Sequence, residues 1–168
     1  MKRCVFLLCL GVMSGVSLAS PHTHGVSQVE VSVEGQRLML HWRAALDDVV
    51  GFEHAPRTAA QKQQVAQVME QLKQPQKLFV PAAPARCELK TSTISAPVLE
   101  GAAAGSGHAD LTLQMEWVCA QPQQLSHMEV LAFDSFKRVR RIDAQVVTPR
   151  GQSKVALRGK ARTIALSP

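Results

Sequence analysis

Three stretches of the chain alternate apolar and polar residues one by one, and that period of two most constrains the fold. Val29, Val31 and Val33 alternate with Glu30, Ser32 and Glu34, and after Gly35 and Gln36 the sequence resumes with Leu38, Leu40 and Trp42 against Met39, His41 and Arg43. Two such runs around a short glycine-bearing break predict a β-hairpin. Leu111, Leu113, Met115 and Trp117 repeat the pattern toward Cys119, and Cys87 to Ala96, Met128 to Phe133, Ile142 to Thr148, Lys154 to Leu157 and Arg162 to Leu166 read as further strands. A helical period occurs once: Thr58 and Gln61 form a capping box, and Val65, Val68, Met69 and Leu72 follow, predicting one amphipathic helix over about 58 to 73 that Pro75 ends. The fold class expected is therefore α+β: mostly antiparallel, sandwich-like β-sheet with one helix packed on it.

The first nineteen residues stand apart from this pattern. Lys2 and Arg3 precede an apolar run from Cys4 to Val16, and Ser17, Leu18 and Ala19 supply the small-x-small motif of a signal peptidase site. The run is shorter than the ~20 residues that cross hydrocarbon. The expectation is export to the periplasm, cleavage after Ala19, no membrane anchor, and one domain over residues 20–168 of the 168-residue, 18.3 kDa chain.

Export makes the remaining cysteines informative. Cys87 and Cys119 survive cleavage, and an even pair in an oxidising compartment is expected to join. A thiolate metal site is the alternative, disfavoured because no CxxC spacing is present. Cleavage also lowers the formal charge from +6 to +4 by removing Lys2 and Arg3, and leaves nine Lys/Arg against three acids from Gln121 onward. On an exported chain this basic third excludes nucleic acid as the natural partner. It leaves an acidic protein, an anionic surface, or a plain solvated strand edge.

Chemistry, if present, rests on histidine. His22 and His24 stand at i, i+2, a spacing that points both rings to one side of an extended segment. Glu53 adjoins His54, and His108 precedes Asp110 at the end of a Gly/Ala/Ser stretch between Glu100 and Gly107. Nitrogen and carboxylate donors without a Met or Cys cluster suit zinc better than copper, and Pro21 lacks the amide hydrogen that an amino-terminal Cu(II) clamp must lose. His41 and His127 lie within strands and read as structural or merely exposed. No enzyme is expected, because His-Glu-x-x-His and Gly-x-Ser-x-Gly are both absent.

The segment Asp48-Val49-Val50-Gly51-Phe52-Glu53-His54-Ala55-Pro56, with Thr58 and a glutamine-rich helix after it, resembles the zinc-regulated ZrgA type of periplasmic zinc-uptake accessory proteins. The likeness extends through His22-Thr23-His24-Gly25, the hairpin, Leu78-Phe79, Cys87, His108 and the strand ending at Cys119, and so covers essentially the whole mature chain. It implies a periplasmic protein that binds zinc and buffers or delivers it toward a zinc import system. The positions matching the family's motifs are His22, His24, Glu53 and His54. One departure is plain: many members carry a long histidine-rich loop where this chain has Gly101 to Gly107 and a lone His108. Without that loop, high-capacity binding is not expected, and His22, His24, Glu53, His54, His108 and Asp110 form the candidate zinc set. The competing reading is a non-metal module docking an anionic partner through the basic C-terminal strands.

Overall fold

A computed structural model of the chain describes residues 23–101 and 109–166. The expected signal segment, His22 and His108 lie outside these residues. Strands β1 (Val26–Glu34) and β2 (Arg37–Ala45) form the hairpin, in a register that sets Val31 opposite Leu40 and Val29 opposite Trp42. Gly35, at φ +57, occupies the first position of the two-residue turn, a backbone region where a side chain would be strained. β4 (Cys87–Ser95), β5 (Asp110–Cys119), β7 (Arg141–Thr148) and β8 (Gly151–Leu157) complete a six-stranded sheet in the order β4-β5-β2-β1-β7-β8. Every pairing in it is antiparallel except β1 with β7. β3 (Phe79–Pro81), β6 (His127–Val130) and β9 (Thr163–Ala165) make a second, antiparallel sheet.

The alternation seen in the sequence is what builds the core. Val29, Val31, Leu38, Leu40, Trp42, Leu111, Leu113, Met115, Trp117, Ile142, Ala144 and Val146 are all buried in one cluster, joined by Phe79, Met128, Val130 and Ile164 of the small sheet. Trp42 links the two, with ring centroids 5.7 Å from Phe79 and 5.4 Å from Phe136. Its indole N–H donates to Ser27 Oγ at 2.9 Å, which satisfies the one polar atom of a fully buried ring. Ser27→Ala should therefore cost about 1–2 kcal/mol, the penalty of a buried donor left without an acceptor, read as a lower urea midpoint with an unchanged slope.

Helix α2 (Ala59–Leu72) has the expected capping box at Thr58 and Gln61, and buries Val68 and Leu72 with Val65 and Met69 packed alongside. Two shorter helices, α1 (Leu46–Val50) and α3 (Ala132–Ser135), were not expected. The expected strand to Phe133 ends at Val130 instead. Leu131 turns to φ −97, ψ 0, its N–H donates to Leu78 O, and Ala132 and Phe133 reach the core from a helical turn. A short apolar run such as Met128 to Phe133 satisfies either geometry, so periodicity alone misplaces the boundary.

Cys87 and Cys119 are joined by a disulfide and face each other directly across β4 and β5. β8 is one edge of the six-stranded sheet, β4 being the other; it is exposed along its length except at Leu157, and Lys154 within it guards against edge-to-edge pairing. No helix among the described residues is long and apolar enough to cross a membrane.

Candidate metal centre

The site is built where β2 runs into α1. Leu46, Val49 and Val50 are buried, fixing the short helix to the core, and Leu46 N–H donates to Ala109 O at 2.7 Å, which ties the helix start to the head of β5. Gly51 ends α1 at φ +87 and its N–H returns to Asp47 O at 2.8 Å. This anchoring leaves Asp47 and Asp48 on the side of α1 that meets the N-terminal turn.

Asp48 is only 3% exposed, and both its carboxylate oxygens accept from Gly25 N–H, at 2.7 and 2.8 Å. Burial pushes its carboxyl above the usual carboxylate value, with the Gly25 hydrogen bond and the nearby His24 and Arg140 pulling the other way. Ionised Asp48 is thus held at a desolvation cost that a cation would offset. Gly25 holds the turn at φ +80, and its carbonyl accepts from the N–H groups of Arg140 and Arg141, each at 2.9 Å. A Cβ there would stand 2.6 Å from Arg140 Nε. Gly25→Ala should consequently lose about 1–3 kcal/mol through the strained φ and the displaced guanidinium, read as a lower melting temperature of the variant.

His24 is the residue these contacts deliver. Its Nδ1 lies 3.7 Å from Asp47 Oδ2 and its Nε2 lies 4.0 Å from Glu53 Oε1. One donor atom each from His24, Asp47 and Asp48 fall within 4.8 Å of one another, and this is the group of three or more His, Cys, Asp or Glu donors found among the described residues. Tetrahedral zinc with bonds of about 2.0–2.2 Å spaces its ligands by roughly 3.3–3.6 Å. The donors present therefore fit the ion after an inward movement of the order of 1 Å, within the reach of an exposed imidazole. Arg138 approaches from the other side, with Nη1 3.4 Å from Asp47 Oδ1.

The candidate ligands read from the sequence fare differently. His24 and Glu53 are brought together. His54 stacks on Phe52, with centroids 5.1 Å apart, and its Nδ1 faces Ala55 O at 2.8 Å, leaving Nε2 as the nitrogen able to bind a metal; it is outside the three-donor group. Asp110 pairs with Ala45 across β2 and β5, beside the start of α1, and is outside the group as well. Asp47 and Asp48 were not singled out as donors. Two adjacent acids inside the otherwise apolar run Ala44 to Val50 were the available signal, since an acid carried into a core needs a partner there.

A concavity of about 500 Å³ lies on the outer face of the six-stranded sheet and includes Glu30, Met39, His41, Gln114 and Glu116. Glu30 and His41 are 3.9 Å apart, but no third donor groups with them among the described residues. Donor chemistry, not volume, singles out the candidate cluster at α1.

Fold and site together define a β-rich, disulfide-bonded domain with a nitrogen and carboxylate cluster suited to a divalent cation. The chain matches the model of the ZrgA family of zinc uptake proteins over residues 21–166, and it belongs to that family. The family is one of zinc uptake, not a family of enzymes. No curated protein matches the chain.

Proposed function

We propose that this protein binds a zinc ion in the periplasm and buffers it or passes it toward a zinc import system, with His24, Asp47 and Asp48 as the central donors and Glu53 as a fourth. The observation that carries this reading is the approach of three donor atoms to within 4.8 Å of one another, one of them on a buried carboxylate. Membership of a zinc uptake family supports zinc as the ion. His54 and Asp110 belong to the proposal as supporting donors outside the three-donor group, and His22 and His108, which lie outside the described residues, belong to it as histidine donors read from the sequence. Periplasmic location rests on the signal-like residues 1–19 and agrees with the disulfide.

The reading has a direct solution test. Zinc titrated by calorimetry into the metal-stripped chain from Ser20 should bind at one dominant site with submicromolar Kd, and acid should release it, because an imidazole ligand must be deprotonated. Absence of heat and of thermal stabilisation by zinc would remove the metal reading. Loss of binding with added salt in the absence of zinc, seen instead for an anionic partner, would favour the docking module.

A further inference from the structure

We infer that Arg138 is a built-in competitor for the cation: in the metal-free protein its guanidinium takes the charge position beside Asp47, and it withdraws when zinc binds. The inference rests on the zinc reading above and adds what sets the affinity of that site.

Three observations place Arg138 in this role. Its Nη1 is 3.4 Å from Asp47 Oδ1, the carboxylate whose other oxygen faces His24. The guanidinium lies against Gly51, where an added Cβ would stand 3.1 Å from Nη2 and 3.3 Å from Cζ, so a side chain at the end of α1 would crowd it by a few tenths of an ångström. Its side chain is 58% exposed, so it has solvent to swing into.

Arg140 makes a useful contrast. It packs on Gly25 and donates from Nη2 to His24 O at 3.4 Å, so it stays with the turn that presents His24 and supplies a fixed positive charge near Asp48, without the direct Asp47 contact that Arg138 makes.

The charges balance in a way that explains the withdrawal. Asp47, Asp48 and Glu53 carry three negative charges, and with both guanidinium groups in place a dication would leave the cluster positive. With Arg138 withdrawn, zinc and Arg140 neutralise the three carboxylates. Binding thus costs the Arg138 contact and release regains it, which keeps the ion from being held too tightly to hand on.

The test compares zinc affinity and zinc release to a chromophoric chelator for the wild-type chain, Arg138→Gln and Arg37→Gln, each at low and high salt. Arg37→Gln makes the same charge change on the far end of β2, eight residues or roughly 26 Å from Ala45 along the strand. Arg138→Gln should bind zinc at least about threefold more tightly and release it correspondingly more slowly, and this gain should shrink as salt screens the guanidinium charge. Arg37→Gln should match the wild type. Equal or weaker binding by Arg138→Gln, with the wild type still binding, would overturn the competition and leave the zinc site standing. An equal gain in Arg37→Gln would also overturn it, by reducing the effect to net charge. No binding by any of the three chains would overturn the zinc reading and this inference with it.

Discussion

Changing His24 to alanine and Asp47 to asparagine together should weaken zinc binding at least a hundredfold, about 2.7 kcal/mol, while the protein stays folded. His24 and Asp47 are partly exposed, with side chains 53% and 30% accessible, and neither is among the buried residues of the core, so their replacement removes ligands without opening a cavity. The effect should be graded by position. Glu53→Gln, which removes the charge of the fourth donor 4.0 Å from His24, should cost about tenfold, and Asp110→Asn, outside the central group, should change affinity by less than about threefold. Asp48→Asn is the less informative variant, because the same carboxylate accepts from Gly25 N–H and the loss would mix folding with binding. Calorimetry on each variant beside circular dichroism separates the two. A double variant that keeps wild-type affinity would move the site elsewhere.

Removing the disulfide by changing Cys87 and Cys119 to alanine should destabilise the fold by about 3–4 kcal/mol, since the bond closes a loop of 32 residues' separation in the unfolded chain. For a domain of this size that corresponds to a fall in melting temperature of roughly 6–15 °C. Zinc affinity should hardly change. The cysteines sit at one end of the β4–β5 pair, and Asp110, beside the start of α1, is at the other end of β5, about 30 Å away along the strand. Thermal melts with and without zinc measure both quantities. A loss of binding on the same scale as the loss of stability would show that the centre depends on the whole sheet and not on the local β2–α1 junction.

Residue periodicity made most of the large sheet legible. The alternation in β1, β2 and β5 identified strand, inward face and hairpin together, because a strand with one buried face has little freedom in its pattern. Thr58 and Gln61 announced α2 by the same kind of local rule. What stayed hidden depends on distant partners. The parallel pairing of β1 with β7 joins residues more than a hundred positions apart, and no local signal encodes it. α1 and α3 are too short to show a helical period, and α1 is held by burial of Leu46, Val49 and Val50.

The centre divides along the same line. His24 and Glu53 were readable as donor types in suggestive company, and the structure places them 4.0 Å apart. The part played by Asp47 and Asp48 emerges only when the Gly25 turn folds onto α1, since it is the Gly25 N–H donating to Asp48 that brings His24 within reach. Arg138 and Arg140 looked like members of a basic C-terminal surface. In the fold they turn back to this acidic cluster, so part of the apparent positive patch is spent on an internal partner.

The most direct test of a zinc centre at His24, Asp47 and Asp48 is an anomalous difference map across the zinc edge from crystals of the zinc-loaded protein. A peak is expected about 2.0–2.2 Å from a His24 ring nitrogen and from an Asp47 carboxylate oxygen, with the Arg138 guanidinium drawn away from Asp47. A peak on other histidines with none at this cluster, or no ordered peak at all, would contradict it.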